Sequence, residues 1–319
     1  MEPVRWGLLS TARINDAILT GAAQSERTEV VAVASRDEQR AVAYAREHGI
    51  ERAHGSYDRL LADDDVDVVY VSLPNSLHVE WAIKALDAGK HVLCEKPMDR
   101  RSEAVERAFD AAERNGRLLM EAFMYRHHPQ TRKAAELVAQ GAIGELRQVR
   151  SLFSFTLADE ADVRMLPDLD GGAVMDLGCY CISMQRLLAG EPQLVFGRQR
   201  TGSTGVDVGF AAVLEFADGV FGEFHCGFDL PEGNGLVAIG STGTLAVPDP
   251  VRCRDPHLEL NGERVDVEDV DRYFLQVDNF SAAVLGEAEP LLGRDDALGQ
   301  VRTIAALYRS AESARGEAP

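Results

Sequence analysis

Short apolar runs alternate with amphipathic segments through the first 123 residues of this chain. The runs are rich in valine and leucine on both faces, as in strands that helices cover on each side. Such an alternation predicts a parallel sheet with helices on both faces. The predicted strands are Val4–Leu9, Val30–Ser35, Val66–Leu73, His91–Cys94 and Leu118–Ala122, and the predicted helices are Ile14–Ala23, Glu38–His48, Leu77–Ala88 and Ser102–Asn115.

The pattern of apolar residues changes after Phe123. From Leu194 to Val267, short strand patterns alternate with turn signals, which predicts an antiparallel sheet. We therefore predict an α/β fold with two domains, 1–123 and 124–319, the second being α+β with a large, mostly antiparallel open sheet. Other predicted elements of this part are helices Gln130–Gln140, Asp176–Leu188, Tyr273–Leu285 and Asp295–Glu312 and the strand Leu146–Phe155.

Charge and cysteine usage exclude several classes of protein. The 319 residues carry a formal net charge of −19, which disfavours binding to nucleic acids or to anionic membranes. No apolar run is long enough for a membrane span, and no signal peptide is evident. Five cysteines, with no Cys-x-x-Cys pair, are expected to be free, buried thiols in a cytoplasmic protein without a metal site.

The turn after the first predicted strand indicates a phosphate-binding loop. A helix start offers unpaired N–H groups and a positive dipole end, which suit a pyrophosphate. Ser10, Ala12 and Asn15 stand where the dinucleotide fingerprint Gly-x-Gly-x-x-Gly has its glycines. The loop alone leaves a dinucleotide site and an ordinary turn equally open. The strand–helix alternation favours the dinucleotide site.

The end of the second strand bears on the choice of cofactor. Sites selective for NAD tend to place an acidic residue here, whereas this chain has Ser35 and Arg36. A guanidinium can pair with a 2′-phosphate, so we predict NADP, with NAD as the second possibility. The alternative is that Arg36 is a solvated residue at the start of a helix.

A third group follows the strand Val66–Leu73. Asn75 is predicted to cap the following helix or to contact the cofactor, and the two roles are compatible. His78 is a second candidate for that contact, although a single histidine is more often structural.

The chemistry is predicted at two distant motifs. Lys96 follows the strand His91–Cys94 with only Glu95 between them, so it is expected at the carboxyl edge of the sheet, where such folds bind ligands. Asp176 and Tyr180 are four residues apart and would share one helix face. A nearby ammonium lowers the pKa of a phenol, so Lys96 and Tyr180 could exchange a proton with a substrate. Asp176 would orient the lysine or hold a substrate hydroxyl; the alternative is an N-cap and a core aromatic residue.

Taken together, these motifs resemble the glucose–fructose oxidoreductase / inositol dehydrogenase (Gfo/Idh/MocA) family. The resemblance implies an N-terminal Rossmann domain over 1–123 and a C-terminal domain over 124–319 that binds substrate and forms a dimer interface. It rests on Gly7–Arg13, Pro74-Asn75 with His78, Glu95-Lys96-Pro97, Gly171-Gly172, Asp176-x-Gly178 and Gly240–Gly243.

Within the family, tyrosine at position 180 resembles the branch of glucose–fructose oxidoreductase, dimeric dihydrodiol dehydrogenase and sugar-nucleotide 3-ketoreductases. This branch implies Lys96 and Tyr180 as the catalytic pair. It also implies that Arg164 approaches the cofactor phosphates. The residues expected to contact the cofactor are Ser10, Thr11, Ala12, Arg13, Ile14, Ser35, Arg36, Leu73, Pro74, Asn75, His78, Glu95, Lys96 and Arg164.

The resulting functional prediction is an NADP-dependent oxidoreductase that acts on a secondary alcohol or ketone of a sugar or sugar derivative. The polar, acidic segment Asp159–Asp170 favours a carbohydrate-like substrate. Two alternatives are a trans-dihydrodiol dehydrogenase of arene diols and a non-catalytic NAD(P)-binding sensor. We expect a homodimer or higher homo-oligomer.

Overall fold

The computed structural model describes residues 2–319, which divide into two compact units. The first unit contains 2–99, Glu103–Met124 and Asp271–Ala297. The second contains the remaining segments, Arg100–Ser102, Tyr125–Val270 and Leu298–Pro319. The division therefore differs from the predicted single boundary after residue 123, because a late segment of the chain packs within the first unit.

The first unit is built on a parallel sheet of six strands in the order β3-β2-β1-β4-β5-β6. The order reverses at β1, which pairs with β2 on one side and β4 on the other. The carboxyl ends of strands at such a switch point flank a ligand crevice. The strands are β1 (Val4–Leu9), β2 (Thr28–Ala34), β3 (Arg52–His54), β4 (Val68–Val71), β5 (His91–Cys94) and β6 (Leu119–Glu121).

Helices connect successive strands of this sheet. Helix α2 shows the sequence logic: Asp37 caps its first turn, and Gly49 ends it in the left-handed conformation. The helices of this part are α1 (Asn15–Ala22), α2 (Glu38–His48), α3 (Tyr57–Leu61), α4 (His78–Asp87) and α5 (Ser102–Asn115).

The second unit is built on a sheet of eight strands in the order β14-β13-β12-β11-β7-β10-β9-β8. Its pairs are antiparallel except for β7 with β10, which are parallel. The prediction of a mostly antiparallel sheet is confirmed. The strands are β7 (Leu146–Ser154), β8 (Leu194–Thr201), β9 (Asp207–Glu215), β10 (Phe221–Gly227), β11 (Gly233–Gly240), β12 (Thr244–Val247), β13 (His257–Leu260) and β14 (Glu263–Asp266).

Four further helices follow α5 along the chain. Helix α7 packs against β7 and β10 and buries one face of the large sheet. Helix α8 belongs to the first unit, where it packs against α1. The helices are α6 (Pro129–Ala139), α7 (Cys179–Ala189), α8 (Arg272–Val284) and α9 (Arg294–Ser313).

All five cysteines are buried free thiols, as the sequence predicts. Within residues 2–319, no helix combines the length and the apolar character that crossing a membrane requires.

Candidate active site

In the loop after β1, Ser10 stands at the first glycine position of the dinucleotide fingerprint and has a positive φ. Ser10 has φ 154°, a region that glycine adopts far more readily than serine. Its hydroxyl lies 2.8 Å from Ser72 Oγ and accepts a hydrogen bond from Ala12 N at 3.1 Å. Asn15 Nδ2 donates to the Ser10 carbonyl at 2.8 Å. Short polar side chains therefore hold the conformation for which glycine is usually selected.

Helix α1 begins beside this loop without a side-chain cap on its first turn. The turn that leads into α1 consists of Thr11, Ala12, Arg13 and Ile14. The first N–H groups of the helix, those of Asn15, Asp16 and Ala17, donate to backbone carbonyls of the preceding turn at 3.1–3.2 Å. What the helix start offers a ligand is therefore mainly the positive end of its dipole. At the switch point of the parallel sheet, this arrangement fits a pyrophosphate.

Two guanidinium groups and a phenol meet at the end of β2. Arg36 and Arg40 are exposed and lie on either side of Asp37, the N-cap of α2. Burial raises the pKa of Tyr57, whereas the charges of Arg36 and Arg40 lower it, so both guanidinium groups lie within electrostatic range of the phenol. Ser35 Oγ accepts a hydrogen bond from Asp37 N at 3.2 Å. These donors and charges suit a phosphate monoester. Sequence reasoning missed Arg40 and Tyr57. The signal for Arg40 was its position in the first turn of the helix that follows Arg36.

The loop after β4 differs from the prediction in one respect. Asn75 lies in a 3₁₀ turn, Asn75–Leu77, in which Leu77 N donates to the Pro74 carbonyl at 2.9 Å. Leu77 occupies the cap position of α4 and forms no side-chain cap hydrogen bond. The interpretation of Asn75 as the cap of α4 is therefore wrong, because this extra turn separates it from the helix. Contacts of Leu73, Pro74 and Asn75 with a cofactor stay predictions.

His78, the first residue of α4, is only 1% exposed. Its Nδ1 lies 2.9 Å from the Pro97 carbonyl oxygen, and its Nε2 lies 2.6 Å from the Leu73 carbonyl oxygen. Since both ring nitrogens already face backbone groups, this geometry does not favour the predicted contact between the ring and a cofactor.

The loop after β5 carries Lys96, which is half-buried at the carboxyl edge of the parallel sheet. Beside it, Glu95 Oε1 accepts a hydrogen bond from Tyr70 OH at 2.5 Å. Further along, Met98 N donates to Oε1 of the buried Glu121 at 2.9 Å. Polar contacts from β4 and β6 therefore hold the loop on both sides of the lysine.

Helix α8 brings a residue near Lys96 that sequence reasoning missed. Burial and the charge of Glu95 raise the pKa of Tyr273, whereas Arg272 and Lys96 lower it. The phenol thus lies within electrostatic range of the Lys96 loop, inside the first unit. The sequence offered no signal for this proximity, since it depends on the return of α8 to the first unit.

In the second unit, Gly171 and Gly172 permit a close backbone approach. A Cβ at Gly171 would overlap the Arg164 carbonyl oxygen, and one at Gly172 would overlap Asp207 Oδ1. Gly172 also has φ 124° and donates its N–H to the Arg164 carbonyl at 2.8 Å. Asp207 Oδ2 accepts from Val174 N at 2.8 Å and so fixes the residues that follow.

This approach places Arg164 against Asp176. Arg164 Nε donates to Asp176 Oδ2 at 2.8 Å, and its Nη1 donates to Asp162 at 3.2 Å. The charge of Asp176 is the main reason why the pKa of Arg164 is raised. Arg164 thus orients Asp176, while the predicted approach of Arg164 to cofactor phosphates stays a prediction.

Tyr180 lies in the first turn of α7 and is 6% exposed. The helical stretch begins before Asp176, because a π-helical turn, Val174–Gly178, precedes α7. Tyr180 makes edge-to-face contacts with Tyr125 and Phe153, at ring-centroid distances of 5.8 and 5.6 Å. These contacts fix the plane of the phenol.

The predicted site residues thus form two groups. In the first unit, the loops after β1, β2, β4 and β5 all follow strands of the same parallel sheet and lie at its carboxyl edge. In the second unit, Arg164, Asp176 and Tyr180 lie on consecutive segments around the Gly171-Gly172 turn.

Two family models match this chain. Residues 5–123 match the oxidoreductase family with an NAD-binding Rossmann fold, GFO_IDH_MocA, and residues 131–246 match the GFO/IDH/MocA C-terminal domain. The chain belongs to this family of oxidoreductases. The family resemblance noted in the sequence is confirmed, as is the combination of a Rossmann sheet with a large, mostly antiparallel sheet.

Relatives span nearly the whole chain. The D-xylose 1-dehydrogenase (NADP⁺) 2 of Haloferax volcanii is 42% identical over 317 residues, 97% of each chain. A 3-ketoreductase from Actinomadura kijaniata, solved with NADP and TDP-benzene, is 34% identical with a TM-score of 0.91, covering 97% of this chain and 98% of that one. The trans-1,2-dihydrobenzene-1,2-diol dehydrogenase of Bos taurus is 34% identical over 82% of this chain and 78% of that protein.

Proposed function

We propose that this chain is an NADP-dependent oxidoreductase that interconverts a secondary alcohol and a ketone in a sugar or sugar derivative. The observation that carries the proposal is the position of Lys96, two residues after the end of β5 at the carboxyl edge of a Rossmann sheet. Support comes from the relatives, since the Haloferax volcanii protein is named as an NADP-dependent D-xylose dehydrogenase and the Actinomadura kijaniata protein as a 3-ketoreductase.

The first unit fits NADP. The uncapped start of α1 would hold the pyrophosphate, and Arg36, Arg40 and Tyr57 would hold the 2′-phosphate. When bound, the nicotinamide supplies hydride exchange. Replacement of Arg36 by alanine should raise the KM for NADP about 10- to 100-fold, equivalent to about 1.4–2.7 kcal/mol, while the KM for NAD changes little. Arg46→Ala, at the far end of α2, is the matched control. An equal change for both cofactors would contradict the assignment.

In the second unit, Tyr180 would donate a proton to the carbonyl oxygen during reduction and accept it during oxidation. Tyrosine has an ordinary pKa near 10, and an ammonium beside the phenol favours the phenolate. We propose that Lys96 supplies this charge. Asp176, oriented by Arg164, would accept a hydrogen bond from a substrate hydroxyl.

A second candidate function is oxidation of arene trans-dihydrodiols. The observation that favours it is the pair of aromatic rings that contact Tyr180. The Bos taurus relative is named as such a dehydrogenase. Against it, the charged side chains of Arg164, Asp162 and Asp176 suit a substrate with several hydroxyl groups.

The deciding experiment measures turnover with NADP and with NAD on aldoses, nucleotide-linked keto sugars and an arene trans-dihydrodiol. We expect kcat/KM to be highest for a carbohydrate with NADP. A preference for the dihydrodiol would favour the second candidate. Tight cofactor binding without redox exchange on any of them would identify a sensor.

We also infer a homodimer through the large sheet. On one face, Phe196, Val213, Glu223, Arg150 and Val237 are cross-strand neighbours in register from β8 to β11. Phe196 and Val213 are 40% and 43% exposed, and Arg150 pairs with Glu223 at 2.7 Å. Such an apolar stripe with a central ion pair is suited to an isologous contact. Light scattering should give twice the chain mass, and a monomer mass would contradict this inference. The free thiols suit a cytoplasmic protein.

A further inference from the structure

His78 connects two loops at the carboxyl edge of the Rossmann sheet. Its ring is 1% exposed and lies between the carbonyl oxygens of Leu73, 2.6 Å from Nε2, and Pro97, 2.9 Å from Nδ1. Leu73 follows β4, and Pro97 follows Lys96 on the loop after β5. One side chain therefore ties the lysine loop to the loop of the neighbouring strand.

The two contacts have an unusual chemical requirement. A carbonyl oxygen only accepts hydrogen bonds, and a neutral imidazole carries one N–H. Both contacts are therefore hydrogen bonds at the same time only in the imidazolium form. In the neutral form, one ring nitrogen donates and the other turns a lone pair toward a carbonyl oxygen.

The groups around the ring set the pH at which the second bond forms. Burial lowers the pKa of His78, and the charge of Lys96 lowers it further. The Pro97 and Leu73 carbonyls and the charge of the buried Asp99 raise it, and the net direction is downward. One bond is therefore present at neutral pH, and the second is gained below the usual histidine range.

The lysine loop has a second anchor on its other side. Met98 N donates to Oε1 of Glu121, which is 2% exposed at the end of β6. The backbone immediately after Lys96 is thus held between a buried imidazole and a buried carboxylate. Buried polar contacts of this kind fix a loop in one conformation when they are satisfied.

We propose that His78 is a positioning residue for Lys96. Its buried ring lies between the Pro97 and Leu73 carbonyls and donates to one of them at neutral pH, and to both when it is protonated. The inference rests on the proposed catalytic role of Lys96. It assigns His78 no contact with substrate or cofactor. Its effect reaches the reaction through the direction in which the Lys96 ammonium points.

The first test compares His78→Leu, which removes the ring and its hydrogen bond, with His78→Gln, which keeps an amide donor. We expect His78→Leu to lower kcat at least about tenfold, equivalent to about 1.4 kcal/mol, with the KM for NADP within about threefold of the parent value. His78→Gln should recover part of the loss. An unchanged kcat in His78→Leu would overturn the proposal.

The matched control is His91→Leu at the opposite end of β5. His91 Nδ1 accepts a hydrogen bond from Leu118 N at 3.0 Å. The His91 ring thus also links two neighbouring segments, the start of β5 and the residue before β6. This variant should lose stability while keeping kcat. Equal losses of kcat in the two variants would show a general effect of weakening β5, and would overturn the proposal.

A double-mutant cycle with Lys96→Ala separates positioning from folding. If His78 acts through Lys96, His78→Leu should lower kcat in the parent chain and have little further effect on the residual activity of Lys96→Ala. Equal fold-losses in both backgrounds would contradict the proposal. A Lys96→Ala variant with full activity would instead refute the proposed catalytic role of Lys96.

A spectroscopic measurement tests the proposed role of His78 without any measurement of enzyme activity. The chain has four lysines, Lys84, Lys90, Lys96 and Lys133, so reductive methylation with ¹³C-formaldehyde gives few signals to assign. The Lys96 signal should shift as the pH falls below about 6.5 and His78 becomes protonated. This inflection should vanish in His78→Leu and persist in His91→Leu. Its persistence in His78→Leu would overturn the proposal.

Discussion

At the scale of single residues, the proposed chemistry depends on side chains whose surroundings restrict them. Tyr180 is held by two aromatic rings, and Asp176 is held by Arg164. Lys96 lies on a loop whose backbone is fixed by hydrogen bonds on both sides. Catalytic groups need such restriction, because a misplacement of about 1 Å can cost a large factor in rate.

Tyr180→Phe should lower kcat by about 10²- to 10⁴-fold, because it removes the proposed proton donor while keeping the ring. The affinity for NADP should remain within a few-fold of the parent value. Steady-state kinetics and fluorescence titration measure the two quantities. The control is Tyr125→Phe, which loses a buried hydrogen bond to Ser183 Oγ but should keep most of kcat. Full activity in Tyr180→Phe would refute the assignment.

Asp207 should make stability depend on pH. Burial raises its pKa to about 6, from 3.8, so the folded state holds its proton more tightly than the unfolded state does. Asp207 therefore makes its full contribution to the free energy of unfolding below pH 4. This contribution, about 3 kcal/mol, is lost as the pH rises through 6. In Asp207→Asn, this pH-dependent loss should disappear, since an amide can bond both Val174 N and Tyr308 OH.

Urea unfolding at pH 4.5 and 7.5 measures the effect of Asp207. The difference in free energy of unfolding between the parent chain and Asp207→Asn should change between the two pH values, because only the parent chain loses the Asp207 contribution at pH 7.5. Asp218→Asn provides the control, because it makes the same change of charge at an exposed carboxylate. Parallel pH profiles for the parent chain and Asp207→Asn would contradict the prediction.

At the scale of elements, the turn Gly171-Gly172 determines how the second group of site residues forms. Gly172 combines a positive φ with a position against the buried Asp207. The turn brings the Arg164 backbone under the start of the π-helical stretch, which places the guanidinium beside Asp176. The two glycines of this turn thus allow Arg164, Asp176 and Asp207 to come together.

Gly172→Ala should lower the free energy of unfolding by at least about 2–3 kcal/mol, because a Cβ is strained at this φ and overlaps Asp207 Oδ1. Gly141→Ala shares the positive φ but meets no atom within 4 Å, so it should cost only about 1 kcal/mol. Thermal unfolding of both variants separates backbone strain from steric overlap. Equal losses would show that the overlap relaxes without cost.

Much of both units could be predicted from the sequence, and the exceptions have physical causes. Strands with continuous valine and leucine, such as Val4–Leu9, were placed within two residues. Strand β3 was missed because Arg52–His54 is a short edge strand with little apolar character. The parallel pairing of β7 with β10 and the return of α8 depend on contacts between distant residues, which local periodicity does not encode.

The site could be predicted in part for the same reason. Lys96 could be predicted because a residue one or two positions after a buried parallel strand lies at the carboxyl edge of the sheet. Tyr57 and Tyr273 were missed, since their proximity to Arg36 and Lys96 arises from tertiary packing. The Asn75 cap was predicted wrongly because a 3₁₀ turn intervenes before α4.

At the scale of the whole molecule, the Rossmann unit is discontinuous in sequence. Trp6 Nε1 donates to Ser281 Oγ at 3.0 Å, and the Trp6 ring meets Phe280 edge to face at 5.9 Å. Both aromatic rings are fully buried. The stability of the proposed cofactor unit therefore depends on residues more than 270 positions downstream of its first strand.

Phe280→Ala should destabilise the cofactor-binding unit by about 3–5 kcal/mol, because it leaves a cavity beside Trp6. The variant should also show a weaker thermal shift on addition of NADP than the parent chain. Leu291→Ala, in the same segment but 38% exposed, should change neither quantity much. Differential scanning fluorimetry with and without NADP provides both measurements, and an unchanged melting temperature in Phe280→Ala would contradict the structural role of α8.

The burial of all five thiols has a practical consequence for following this protein in solution. Alkylating reagents react with accessible thiolates, so the native cysteines should label slowly while the chain is folded. A cysteine introduced at Val163, which is 48% exposed and adjoins Arg164, would then take up a fluorophore selectively. Its emission would report the arrival of ligands beside the Arg164–Asp176 ion pair in real time.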